Sequence, residues 1–365
     1  MEVIHIVLGK ANPDRLNGVN KVVYQMASEQ TKAGKKVEVW GITSKPEHNY
    51  PPRNFKTRLF KTAWFPFGVD ASLKKAILQH KDAVYHLHGG WIPVFSSLAK
   101  YFAKHKIRFV LTPHGAYNEV AMKRSNWKKK FYFQLFEKGI LRSVHKVHSI
   151  GKSEVTGLES ICQGIPSFLL PYGFNTVVNP RAHSKNEVFT VGFVGRLDTY
   201  TKGLDLLIEA FEQFHCMHPQ SILWIIGDGE GMEYLSKYKN DNKSEHIVLW
   251  GKKFGNEKDA LISQMHVFVH PSRNEGLPTA VLEAASMGVG SIVTQATNVA
   301  EYIDQYKAGI GIDNENVRAL KEAMEQFYNA YQNNTLGQYA AGAGEMLADL
   351  FAWPSLVEKY DELYQ

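Results

Sequence analysis

Short apolar runs recur along the chain, each followed by a glycine-bearing loop and then by apolar positions at helical spacing. Val3–Leu8 is the first such run. A loop with Asn12-Pro13 and Asn17-Gly18-Val19 follows it, then an amphipathic segment (Val22, Val23, Met26, Ala27) that stops near Ala33-Gly34. Val37–Gly41 reads as the next strand. A strand–loop–helix–strand order is expected of a parallel sheet with right-handed crossovers. Residues 45–70, rich in proline and aromatics, read as an irregular excursion. Further strands are predicted at Ala83–Leu87, Phe109–Thr112, Lys146–Ile150 and Phe168–Leu170.

The polar stretch 175–187 reads as a linker. After it the alternation resumes, with strands at Phe189–Val194, Ile222–Ile226, Ile247–Trp250 and Val267–Val269, and a last one at Ser291–Val293. Leu204, Leu207, Ile208 and Phe211 mark one helix, and Thr279–Met287, just after Pro278, another. The fold class is therefore α/β with doubly wound sheets. Two domains are expected, residues 1–175 and 176–351, and a closing helix from Trp353 to Tyr364 whose aromatics need somewhere to pack.

Length agrees, since 365 residues exceed the usual single core. Two cysteines, Cys162 and Cys216, speak against a disulfide framework and for a reducing compartment. The opening MEVIHIVLGK lacks a basic leader and a cleavage site, so it is read as a buried strand. No apolar window is long enough for a membrane span. The net charge of +6 is unevenly divided: residues 1–180 hold 27 Lys+Arg and 11 Asp+Glu, the remainder 15 and 25. A basic half on an acidic half implies two domains facing different partners, with an anionic membrane or nucleic acid as candidates for the first.

The candidate chemistry sits at strand ends, the ligand edge of an open α/β sheet. Gly195-Arg196 and Lys202-Gly203 place two cations on one loop, which suits a diphosphate. Glu275 and Glu283 lie eight positions apart, one on the loop before a helix and one within it. Amides at such a helix start favour phosphate, and the carboxylates can accept from hydroxyls on either side of it. Histidines cluster at His86-Leu87-His88 and at Pro113-His114-Gly115. His86 and His88 are taken to alternate faces and to lack a further ligand, so no metal is expected; His114 is the histidine assigned a function. Lys123–Phe133 combines five basic residues with Trp127 and a Phe-Tyr-Phe run, as an interfacial membrane segment does; a solvated basic helix with a core-facing aromatic stripe is the alternative.

These motifs resemble the retaining glycosyltransferases of family 4. The resemblance rests on Gly195-Arg196 with Lys202-Gly203, Gly227-Asp228-Gly229, and Glu275-Gly276-Leu277-Pro278 through Glu283-Ala284. It implies a GT-B architecture, two facing Rossmann-like domains with an active-site cleft. The first would bind acceptor and the second nucleotide sugar, with the C-terminal helix, residues 352–365, returning to the first. Arg196 and Lys202 would hold the donor pyrophosphate and Glu283 the ribose hydroxyls. Glu275 would contact the transferred sugar, with the Gly276 and Leu277 amides near phosphate or sugar and Lys253 beside the base. His114 resembles the family's active-site histidine, and Gly18 its donor loop, although Asn17 stands where the family usually has a second glycine.

The expected activity is transfer of a sugar, with retention and without a metal or other cofactor, from a nucleotide sugar with uridine the expected base. The expected acceptor is a glycan or lipid-linked oligosaccharide in surface polysaccharide assembly. The expected place is the cytoplasmic membrane's inner face, reached through residues 123–133. A synthase acting on a soluble acceptor, a donor-binding relative without catalysis and a nucleic-acid-binding protein are the alternatives. No nucleic-acid-binding motif is present, and the basic residues are scattered.

Overall fold

The computed structural model describes residues 1–12, 18–118, 127–174 and 185–365, without the side chains of residues 128 and 129. Asn17, residues 123–126 of the basic segment, and most of the 175–187 linker lie outside the described residues. The chain divides into two compact units. One comprises Met1–Asn175 with Phe351–Gln365, the other Thr176–Leu350.

In the first unit the strands are β1 (Glu2–Leu8), β2 (Lys36–Thr43), β3 (Lys56–Lys61), β4 (Val84–His88), β5 (Phe109–Thr112), β6 (Lys146–Ser149) and β7 (Ser167–Leu169). They form one sheet in the order β3-β2-β1-β4-β5-β6-β7, with parallel pairing throughout. Strand β3 corrects the reading of 45–70 as irregular. As an edge strand it needs only a half-buried face, and KTRLFK carries too many polar residues to announce one. In the second unit the strands are β8 (Phe189–Arg196), β9 (Ser221–Asp228), β10 (Ile247–Gly251), β11 (Val267–His270), β12 (Ser291–Thr294) and β13 (Gly309–Ile312), ordered β10-β9-β8-β11-β12-β13. The expected last strand is thus followed by another, Gly-Ile-Gly-Ile, whose glycines hide it from a propensity reading.

Each sheet reverses direction beside its first strand, between β1 and β4 and between β8 and β11. Loops leaving adjacent strands part there, which opens a crevice for ligand. The apolar core of the first unit packs Ile4, Ile6, Tyr85, Leu87 and Leu111 against Leu98 and Phe102. That of the second joins Phe193, Ile225 and Val269 to Leu207, Phe211 and Phe327.

The helix Trp353–Tyr364 belongs to the first unit. Phe174 N–H donates to Phe351 O at 2.8 Å, and Trp353, Tyr360 and Tyr364 are buried. Gly173 is required beneath it, because a Cβ there would stand 2.4 Å from the Trp353 ring.

Candidate functional site

In the second unit the chemistry gathers where β8 and β11 end. Asp198 folds the loop after β8, its Oδ1 accepting from Thr201 N–H at 2.9 Å and its carbonyl from Lys202 N–H at 3.0 Å. Gly203 follows at φ +66, where a Cβ would come within 2.1 Å of Pro271 O. Only glycine lets these two loops touch. The contact delivers Lys202 to Glu275: the ammonium donates to Oε1, and both side chains are about 15% exposed. The same oxygen accepts from His270 Nε2 at 2.9 Å and from Ser272 Oγ at 3.4 Å. His270 is the last residue of β11, its ring stacked on Phe193 at 5.6 Å. Burial pushes the Glu275 carboxyl up, but the Lys202 charge and the His270 bond outweigh it and hold the pKa at about 2.

The loop that carries Glu275 is held from below. Asn298 Nδ2 donates to the carbonyls of Glu275 and Gly276, both at 2.8 Å, and Glu275 N–H donates to Ala296 O at 3.1 Å. Arg273 grips Asp205 with two nitrogens at 2.8 and 2.7 Å, Glu315 at 2.6 Å and Tyr200 O at 2.8 Å, tying both loops to the helix Leu204–Met217. Leu277 is buried, and Pro278 caps the helix Thr279–Ser286.

Glu283, one turn into that helix, is buried and accepts from Lys258 Nζ at 2.5 Å. Lys253 pairs with Glu257 on the preceding helix. Arg196 is 63% exposed and pairs with Asp198 at 3.5 Å, an exposed ion pair of small worth. Lys202, Glu275, Gly276 and Leu277 thus come together, whereas Lys253 and Glu283 each engage a partner on the helix Gly255–Gln264. His270, Arg273, Asn298 and Lys258 escaped the sequence reading. A histidine ending a strand immediately before Pro271 was the one legible sign among them.

In the first unit His114 lies on the turn after β5, at φ +54, followed by Gly115 at φ +83. Glu154, buried in the first turn of the helix Lys152–Ile161, fixes this turn. Its Oε1 accepts from Gly115 N–H at 2.6 Å and its Oε2 from Ile150 N–H at 3.0 Å. Burial raises its pKa to about 7 against those bonds. Gly18 starts the helix Gly18–Lys32, and a Cβ there would meet nothing within 4 Å. Its neighbour Asn20 does the local work, accepting from Ala11 N–H at 2.8 Å and donating to Leu8 O at 3.2 Å.

The reading of His86 and His88 needs correction. Residues two apart share a face of a strand, and their rings stack at 4.1 Å. A third histidine also exists: β1 pairs with β4 so that His5 lies opposite His86, and His5, His86 and His88 offer nitrogens within 4.8 Å of one another. All six nitrogens of these rings already have hydrogen-bond partners, and among the described residues no carboxylate joins them. A cation there would have to break that network and remain uncompensated.

Comparison with known proteins agrees with both halves. The description "Glycosyl transferases group 1" matches residues 178–342, and "Glycosyltransferase Family 4" matches residues 16–167. The chain is similar to the O-antigen chain mannosyltransferase C of Escherichia coli, at 24% identity over 100% of this chain and 98% of that protein. It is also similar to the gpi3 subunit of the phosphatidylinositol N-acetylglucosaminyltransferase of Schizosaccharomyces pombe, at 25% identity over 55% of this chain but only 42% of that protein. Among solved structures, Anabaena HepE in complex with UDP-glucose superposes with a TM-score of 0.76, 12% identity and coverage of 100% and 99%. The architecture is α/β of the GT-B class. Each half being matched in turn, the chain belongs to the group 1, family 4 glycosyltransferases.

Proposed function

We propose that this chain transfers a hexosyl residue, with retention, from a UDP-sugar to a glycan or lipid-linked oligosaccharide acceptor in surface polysaccharide assembly. The observation that carries the reading is the Lys202–Glu275–His270 cluster with Arg196 beside it. When the bond from the anomeric carbon to the diphosphate breaks, negative charge grows on the leaving phosphate. Lys202, Arg196 and the start of the helix Thr279–Ser286 supply the stabilisation there, and with them the reaction needs no bound metal. Glu275 stays ionised and accepts from sugar hydroxyls, Glu283 from those of the ribose, and Lys253 borders the base. The acceptor oxygen attacks the face the phosphate leaves, and its proton passes to the departing phosphate oxygen. His114 accepts a hydrogen bond from a sugar hydroxyl.

The donor half of this reading is tested by melting the protein with UDP, GDP or ADP, with and without magnesium. UDP should raise Tm by mass action at saturating concentration, without magnesium, and the shift should vanish in Arg196→Ala. A shift with GDP alone reassigns the base; no shift with any nucleotide removes the transferase reading.

The acceptor is taken to lie at an anionic membrane. Trp127, Phe131 and Leu135 are exposed along the segment that runs from the helix Trp127–Tyr132 into a π-helical turn, Phe133–Glu137. Phe67 packs on Phe136 at 4.5 Å between ring centroids, and Phe65 and the 98% exposed Trp64 extend the same aromatic row at 5.5 and 6.0 Å. Lys61 and Lys130, close to these aromatics in sequence, are exposed. Such a mix suits the interface of an anionic leaflet. No described helix is long and apolar enough to cross a membrane. Vesicles containing phosphatidylglycerol should pellet the protein, roughly tenfold less so for Trp64→Ala/Trp127→Ala, and less at high salt. No pelleting with these vesicles would point to a soluble acceptor instead.

A further inference from the structure

The buried histidines of the first unit form one unbranched hydrogen-bond chain that ends at His114. Its far end is His148 Nε2, 2.7 Å from Leu170 O. From His148 Nδ1 the chain runs to Thr112 Oγ1 at 2.7 Å, then to His86 Nε2 at 2.5 Å. His86 Nδ1 meets Tyr364 OH at 3.0 Å, and that hydroxyl meets Gln30 Nε2 at 3.2 Å. Gln30 Oε1 meets His5 Nε2 at 2.8 Å, and His5 Nδ1 meets His88 Nε2 at 2.9 Å. The last link joins His88 Nδ1 to His114 Nε2 at 3.0 Å. No described residue bonds His114 Nδ1.

Such a chain has two senses, and one carbonyl selects between them. Leu170 O can only accept, so His148 must carry its proton on Nε2 and accept at Nδ1. Thr112 then donates to His148 and accepts from His86 Nε2–H. Tyr364 donates to His86 Nδ1 and accepts from the Gln30 amide, whose oxygen takes the proton of His5 Nε2–H. His88 Nε2–H donates to His5, and His114 Nε2–H donates to His88. Reversing the sense anywhere sets two lone pairs or two N–H groups face to face. A second proton on any interior ring does the same, so all but His114 are held neutral by the geometry. Burial acts in the same direction on every ring.

We propose that Leu170 O, Thr112, Tyr364 and Gln30 are positioning groups that act through the buried rings to hold His114 as the Nε2–H tautomer, leaving Nδ1 as an acceptor for a substrate hydroxyl. The C-terminal helix thereby reaches the substrate-facing histidine through Tyr364. The polarity of the chain stands on its own; the hydroxyl at its end rests on the function proposed above.

The test is a long-range ¹H–¹⁵N spectrum of protein labelled at histidine nitrogen, near neutral pH. His5, His86, His88, His114 and His148 should each show a protonated Nε2 and a bare Nδ1, in roughly tenfold or greater preference. Two cuts then give different patterns. In Tyr364→Phe, Gln30 loses its acceptor and its amide can turn over, so His5, His88 and His114 become tautomer mixtures near 1:1 while His86 and His148 stay fixed. In Thr112→Val, the anchor is severed earlier and only His148 stays fixed.

A wild-type His114 carrying its proton on Nδ1, or variants in which the same rings respond to both cuts, would overturn the proposal. Because the spectrum reads tautomers without turnover, these results are separable from the transferase reading. A chain that behaves as described in a protein binding no nucleotide sugar leaves the wiring standing and fails the function. Where one variant does not fold, as judged by its melting curve, the other still distinguishes the cut.

Discussion

On the function proposed above, replacing Lys202 by alanine should lower kcat/KM for the nucleotide sugar by about 10² to 10³-fold, with the fold intact. The size is that expected when one preorganised group aimed at developing charge is removed. Two effects combine. The ammonium no longer meets the leaving phosphate, and Glu275 loses the charge that holds its pKa at about 2. His270 then remains as a neutral partner on the same oxygen at 2.9 Å. Lys202→Arg restores the charge but not the position, because a planar fork does not reproduce the point contact that the ammonium makes with Glu275 Oε1, an oxygen also bonded by His270. Steady-state kinetics with donor varied, together with calorimetric binding of UDP, check this. A tenfold or smaller loss in kcat/KM with unchanged UDP affinity would remove Lys202 from the site.

The second large effect is acid sensitivity of the first unit. His5 and His148 are held near pKa 4 and His114 near 3, in each case chiefly because burial disfavours the charged ring. Unfolded, each titrates near 6.5, so below that pH the unfolded chain binds more protons than the folded one. Stability is therefore complete above pH 6.5 and falls as pH drops toward 4. At pH 5 each of the three costs about 2 kcal/mol, about 6 together, against a typical total of roughly 5–15. In the second unit His266, near pKa 4, acts in the same sense. The depressed Glu275 contributes no change until pH falls below about 4.5. Hydrogen exchange at pH 7.5 and 5.0, corrected for intrinsic rates, should show amides of Val84–His88 losing more protection than those of Phe189–Arg196. Equal losses in the two sheets would contradict the buried, neutral histidines.

Legibility differed by element. The strand Phe109–Thr112 and the start of the helix at Thr279 were readable because a buried parallel strand is a continuous apolar run and a proline before a helix is a local signal. Lys202, Glu275, Gly276 and Leu277 were readable as chemistry because each sits on a glycine-marked loop at a strand end. The partner of each was not. Lys202 and Glu275 are 73 positions apart, and Glu283 meets a lysine 25 positions before it. Such pairings exist only once β11 is inserted beside β8, and nothing in the spacing announces that order.

The histidines show the division most sharply. The two-residue period of a strand puts His86 and His88 on one face, and placing them on alternate faces misread that period. Only the tertiary structure decided what that face meets. Parallel register brings His5 opposite His86, and β5 and β6 add Thr112 and His148. Tyr364 arrives from 278 positions away on the returning helix. Periodicity is a property of neighbours along the backbone and can be read from it. A hydrogen-bond chain through six elements is a property of strand order and crossover, which the apolar pattern leaves undetermined.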